Sequence, residues 1–159
     1  MNTRRQEKVG GAPSLRAGDQ APDLTLTAHD GQSVSLVAQL RKGPVILCFL
    51  DGRRASAAEA QLAVLSGCAA QIGAQGAALL AISPDAWPRT DARLDLRVLH
   101  DAGGGVARQY GISAPTTFVI DQAATIVLSL IDATPGSSLT CACVVSALSA
   151  LRRIGERWP

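Results

Sequence analysis

Residues Gly43–Leu50, "GPVILCFL", constrain this chain more than any other stretch. Six consecutive apolar residues follow a Gly-Pro turn signal, with no polar residue alternating among them. A strand of that kind is sheltered on both faces, so it sits inside a sheet with packing layers above and below. A second stretch of the same kind, "AALLAIS" (Ala77–Ser83), follows about thirty residues later. Both strands are therefore expected within one central sheet, with helices on both of its faces.

The rest of the chain fits around that pair. "PDLTLTAHDGQSVSL" alternates at Leu24 and Leu26, turns at Asp30-Gly31 and alternates again at Val34 and Leu36, which predicts a hairpin. After Leu50, Ser56 is a candidate N-cap with Glu59 at capping-box spacing. Leu62, Leu65, Ala69 and Ile72 then share a helical face, and Gly73 and Gly76 are expected to stop that helix. "PDAWPRTDARLDL" has room for one short helix, interrupted by Pro88. "RVLHD", "TFVID" and "TIVLSLI" read as strands, and "GGGVARQYGI" as a turn leading into a helical turn. Asp121 is expected to cap the turn that follows "TFVI". The last segment reads as a helix with Leu139, Val144, Leu148 and Leu151 inward. The order is hairpin, β, α, β, short α, β, β, α, with helices on both faces of a central sheet. Residues 1–14 read as a flexible arm and residues 15–159 as one domain.

With 159 residues and a hydrophobic fraction of 47%, the chain can bury a sizeable single core. Aromatics make up only 3%, so aliphatic side chains must supply most of that core. A net charge of +2, with no basic run interleaved with aromatics, argues against nucleic acid or an anionic membrane as partner. The polar N-terminus has no apolar segment of signal type, so reduced thiols in the cytoplasm are expected.

The ordered blocks "GDQAPDLTLTAHDGQSVSL", "GPVILCFL", "LLAISPD", "VLHDAGGGVARQYGIS" and "PTTFVID" resemble the peroxiredoxin (AhpC/TSA, redoxin) family over about Leu15–Leu151. The resemblance implies a thioredoxin-like α/β fold with an N-terminal β-hairpin extension and a central mixed sheet. It also implies peroxide reduction or thiol–disulfide exchange at the corner after "GPVILCFL". There a helix N-terminus stabilises a thiolate. The corner here reads "DGRRASAA". The family's P-x-x-x-T-x-x-C pattern falls with Asp51, Ala55 and Ala58, and the C-x-x-C pattern of thioredoxin-like relatives falls on Ala55 and Ala58. Neither reading finds a sulfur. Peroxiredoxins place an arginine before the "TFVID" strand; Pro115 stands there, as in C-x-x-C relatives, where the proline is cis and faces the corner.

Two function classes follow. One is a redoxin fold without catalytic thiols that binds a protein or peptide at the corner. Ala114 and Pro115 would offer backbone groups, Arg53, Arg54 and Ser56 would lie beside them, and a homodimer is compatible with this reading. The other is a thiol–disulfide oxidoreductase or antioxidant protein of the family. It would act through a displaced cysteine, Cys141 first, or carry alanine for cysteine at positions 55 and 58 as a Cys→Ala variant. Of the four cysteines, Cys48 and Cys68 read as packing residues. Cys141 and Cys143 on a helix would point about 200° apart and cannot close a disulfide without unwinding. His29 and His100, the two histidines, are not spaced as metal ligands, and no cofactor is expected.

Overall fold

Strand β3 (Val45–Phe49) is an inner strand of a seven-stranded sheet, and all five of its side chains are buried. The computed structural model describes residues 15–28, 31–50, 66–67, 69–84, 97–112, 116–131 and 138–157. Side chains on β3 alternate between two cores. Val45, Leu47 and Phe49 enter one; Ile46 and Cys48, with Leu50 beyond the strand, enter the other. The unbroken apolar run therefore serves both faces of the sheet at once. Each large side chain so buried contributes about 1.5–3 kcal/mol relative to exposure.

Around β3 the sheet is mixed. β4 (Ala78–Ser83) pairs with it in parallel, and β5 (Arg97–His100) is parallel to β4. On the other side β6 (Thr116–Ile120) runs antiparallel to β3 and forms a hairpin with β7 (Ile126–Ile131). The predicted hairpin is β1 (Thr25–Ala28) with β2 (Ser33–Ser35), and β1 lies antiparallel to β5. The full order is β2-β1-β5-β4-β3-β6-β7.

Four helices are described in whole or in part. α1 (Leu36–Leu40) begins directly after β2 and corrects the expectation that Leu36 continues the strand. Ser35 caps it, its Oγ accepting from the Ala38 N–H at 3.4 Å. Leu36 and Leu40, one turn apart, are both buried. α2 is described at residues 66–67 and 69–74, with Ile72 buried. It runs through Gly73, contrary to expectation, and the chain turns at Gly76, whose φ of +81° suits glycine. α3 (Gly105–Gln109) follows a 3₁₀ turn at Ala102–Gly104. α4 (Ser138–Arg157) buries Val144 and Leu148, with Leu151 half-buried beside them. The Leu139 side chain, and the segments holding Leu62, Leu65 and Pro88, lie outside the described residues.

α1 and α3 pack into the core of Leu47 and Phe49, whereas α2 and α4 pack into the core of Ile46 and Cys48. The sheet thus carries helices on both faces, as the sequence implies.

The turns leading into β3 and β4 meet backbone to backbone. The Ala78 N–H donates to the Pro44 carbonyl at 3.0 Å, and a Cβ placed on Gly43 would overlap the Gly76 carbonyl oxygen. A Gly43→Ala variant should therefore lose about 1–3 kcal/mol, because backbone must move to admit the methyl. Gly73→Ala meets nothing within 4 Å on an exposed helical turn and should be neutral or stabilising by about 0.5–1 kcal/mol. Urea unfolding of both variants checks the contrast; equal midpoints would mean that the two turns are not in close contact.

Candidate functional site

The site region is set by where β3 ends and β6 begins. Phe49 lies opposite Thr116 in register, and Cys48 opposite Thr117. The Leu50 N–H donates to the Ile82 carbonyl at 2.9 Å, which holds the chain against β4 one residue beyond the strand. The chain therefore leaves β3 and enters β6 on neighbouring strands at the same end of the sheet. Covalent continuity attaches the "DGRRASAA" segment to the first of these points and the Ala114-Pro115 segment to the second. Arg53, Arg54, Ala55, Ser56, Ala58, Ala114 and Pro115 all lie outside the described residues, as does the Ala114–Pro115 peptide bond. Cys141 lies in the first turn of α4 as helical backbone, and its side chain is outside the described set, as is that of Cys143. Cys68 is outside it as well.

What is described at this end of the sheet is dry. Thr116 and Thr117 are buried, and Cys48 has no exposed surface. The Thr117 hydroxyl donates to the Cys48 sulfur at 3.5 Å within the sheet. A thiol closed off in this way packs as a small apolar residue and is inert toward solutes. Among the described residues, no group of three or more His, Cys, Asp or Glu is placed to hold a metal ion.

At the last residue of β3, Phe49, begins an aromatic triangle. The Phe49 ring is 5.3 Å from Tyr110 and 5.9 Å, edge-on, from Phe118, and Tyr110 and Phe118 are 5.5 Å apart. These are both phenylalanines and the single tyrosine of the chain, gathered from β3, the end of α3 and β6. Tilted and edge-on rings at such spacings are favourable by about 0.5–1.5 kcal/mol per pair beyond area burial. The Tyr110 hydroxyl donates to the Pro22 carbonyl at 2.6 Å. Burial pushes the phenol pKa well above its ordinary value of 10.0, and the negative charge of Asp23 adds to that. Tyr110 thereby anchors the Ala21-Pro22-Asp23 segment. The residues just before it are tied to the start of β7: Gly18 N–H donates to Ile126, Ile126 N–H to Asp19, and Ala21 N–H to Ala124.

Two carboxylates act on backbone. Asp101, 3% exposed, accepts from Val106 N–H at 3.1 Å and Ala107 N–H at 3.0 Å, capping α3 across the glycine turn. Asp121 Oδ1 accepts from the Ala123 and Thr125 N–H groups, each at 3.0 Å, and so caps the β6–β7 turn as the sequence predicts. Sequence reasoning missed the roles of Tyr110 and Asp101. An acidic residue just before "GGGVARQ" is an available capping signal; nothing local marks Tyr110.

The sequence pattern of the AhpC/TSA family matches residues 17–129. No match was found among curated protein sequences. Among solved structures, peroxidoxin BcpB from Mycobacterium tuberculosis superposes with a TM-score of 0.73 at 23% identity, covering 86% of this chain and 97% of that one. A Chlorobium tepidum protein provisionally assigned as the thiol:disulfide interchange protein DsbE gives 0.69 at 25% identity, covering 85% and 99%. The mitochondrial 2-Cys peroxiredoxin of Plasmodium falciparum gives 0.74 at 12% identity, covering 88% and 96%. These likenesses, with the sheet order above, identify the fold as thioredoxin-like.

Because the folded-state phenol pKa is raised, the stabilisation linked to neutral Tyr110 is complete below about pH 10 and is lost as the pH climbs beyond it. As Tyr110 is the only tyrosine, tyrosinate absorbance reads it alone. No tyrosinate signal should develop in the native protein up to about pH 11, and the signal should appear together with unfolding. Ordinary titration with the fold intact would contradict the buried hydroxyl. Tyr110→Phe should cost about 0.5–1.5 kcal/mol by leaving the Pro22 carbonyl without its donor. Cys48 should resist thiol reagents until denaturant is added; rapid native labelling would show that β3 is not closed on that face.

Proposed function

The chain belongs to the AhpC/TSA family, matched over residues 17–129, and from that premise we propose that it binds a protein or peptide partner without thiol chemistry. The family and the structural likenesses are those of peroxiredoxin and thiol–disulfide redoxins. The carrying observation is the pairing of Phe49 with Thr116. That pairing brings the end of β3 and the start of β6 side by side; "DGRRASAA" follows the first in sequence, Ala114-Pro115 precedes the second, and neither contains a cysteine. Attack on an O–O or S–S bond needs a sulfur nucleophile, and Ala55 and Ala58 cannot act as one. Cys48, the nearest described thiol, is sealed. Recognition of an extended peptide needs no sulfur: backbone N–H and C=O groups at Ala114 can pair with it. Arg53 and Arg54 would favour an acidic segment alongside, with Ser56 capping the helix start. Nucleic acid and membrane remain outside this reading; no helix among the described residues is long and apolar enough to cross a bilayer. A homodimer and a cytoplasmic setting are compatible with it.

A second reading is favoured by the likeness to the thiol:disulfide interchange structure at 25% identity. Cys141 lies in the first turn of the twenty-residue α4, where helix amides favour a thiolate. In that reading Cys141 works as a displaced redox thiol, or the corner is a Cys→Ala variant of an ordinary oxidoreductase at positions 55 and 58.

Hydrogen peroxide turnover with thioredoxin or dithiothreitol should not exceed a heat-killed control. Turnover that disappears in Cys141→Ser would establish the second reading instead. Restoring the pair, Ala55→Cys with Ala58→Cys, should create a dithiol that exchanges with glutathione where the parent shows none. Failure of a folded double variant to do so would mean that the corner is not the family's redox position. In pull-downs from native extract, Pro115→Ala should weaken partner capture about tenfold, roughly 1.4 kcal/mol, while changing the melting temperature little. Unchanged capture would remove the binding proposal.

A further inference from the structure

We draw no further inference here: the strongest candidate, the buried Cys48 thiol with the Thr117 hydroxyl that donates to it across β3 and β6, is a lone cysteine with no second observation pointing to a ligand.

Discussion

The double-sided burial of β3 is the constraint on which the rest of the structure depends. A strand that sends Leu47 and Phe49 one way and Ile46 and Cys48 the other requires both cores to exist before it is dry. It also requires a hydrogen-bonding neighbour on each edge, since unpaired backbone groups in such a place cost as much as lost hydrogen bonds. β4 and β6 supply those neighbours in opposite senses, parallel and antiparallel. That difference in sense has a functional consequence. A parallel neighbour would begin at the far end of the sheet; an antiparallel one begins where β3 stops. The start of β6 at Thr116 is thus placed beside the end of β3 at Phe49 by the pairing itself.

The aromatic triangle ties β3 and β6 to the end of α3. Aliphatic side chains fill most of both cores, and the three rings cluster in one of them, with Phe49 at the end of β3 and Phe118 midway along β6. Through its hydroxyl, Tyr110 also reaches Pro22, so one side chain joins α3, the sheet and the N-terminal strap. The strap is in turn laced to β7, and Ala124 there adopts a φ of +66° that glycine would hold with less strain. Asp121 supports that turn with two backbone hydrogen bonds, which offset some of the cost.

Much of this was legible in the sequence, and the rest was not, for physical reasons. The buried strands were readable because continuous apolar runs have few other destinations, and α4 because Val144, Leu148 and Leu151 keep helical spacing over several turns. α1 was hidden because five residues complete little more than one turn; Val34 and Leu36 alternate as a strand would, and Ser35 has no acidic partner three residues on to mark it as a cap. Gly73 misled in the opposite direction: its helical backbone is ordinary, and the turn is made at Gly76, where φ is positive. The triangle was out of reach because Phe49, Tyr110 and Phe118 come together only through the sheet order. For the site, the sequence identified the absence of sulfur at the corner, and the structure contributes the register that brings the two flanking strand ends together.

Frame and chemistry are separable in a chain that belongs to the AhpC/TSA family and whose "DGRRASAA" segment contains no cysteine. The described features that fix the frame are built from apolar alternation, backbone pairing and a few capping carboxylates. A reactive cysteine is held at such a corner for its thiolate, and its packing contributes little. Replacing it with alanine removes the nucleophile. The buried Cys48, which does pack, gains nothing chemically from its sulfur. The pattern that matches the family over residues 17–129 is therefore a pattern of folding constraints as much as of activity. Activity is decided by a few side chains that those constraints leave free.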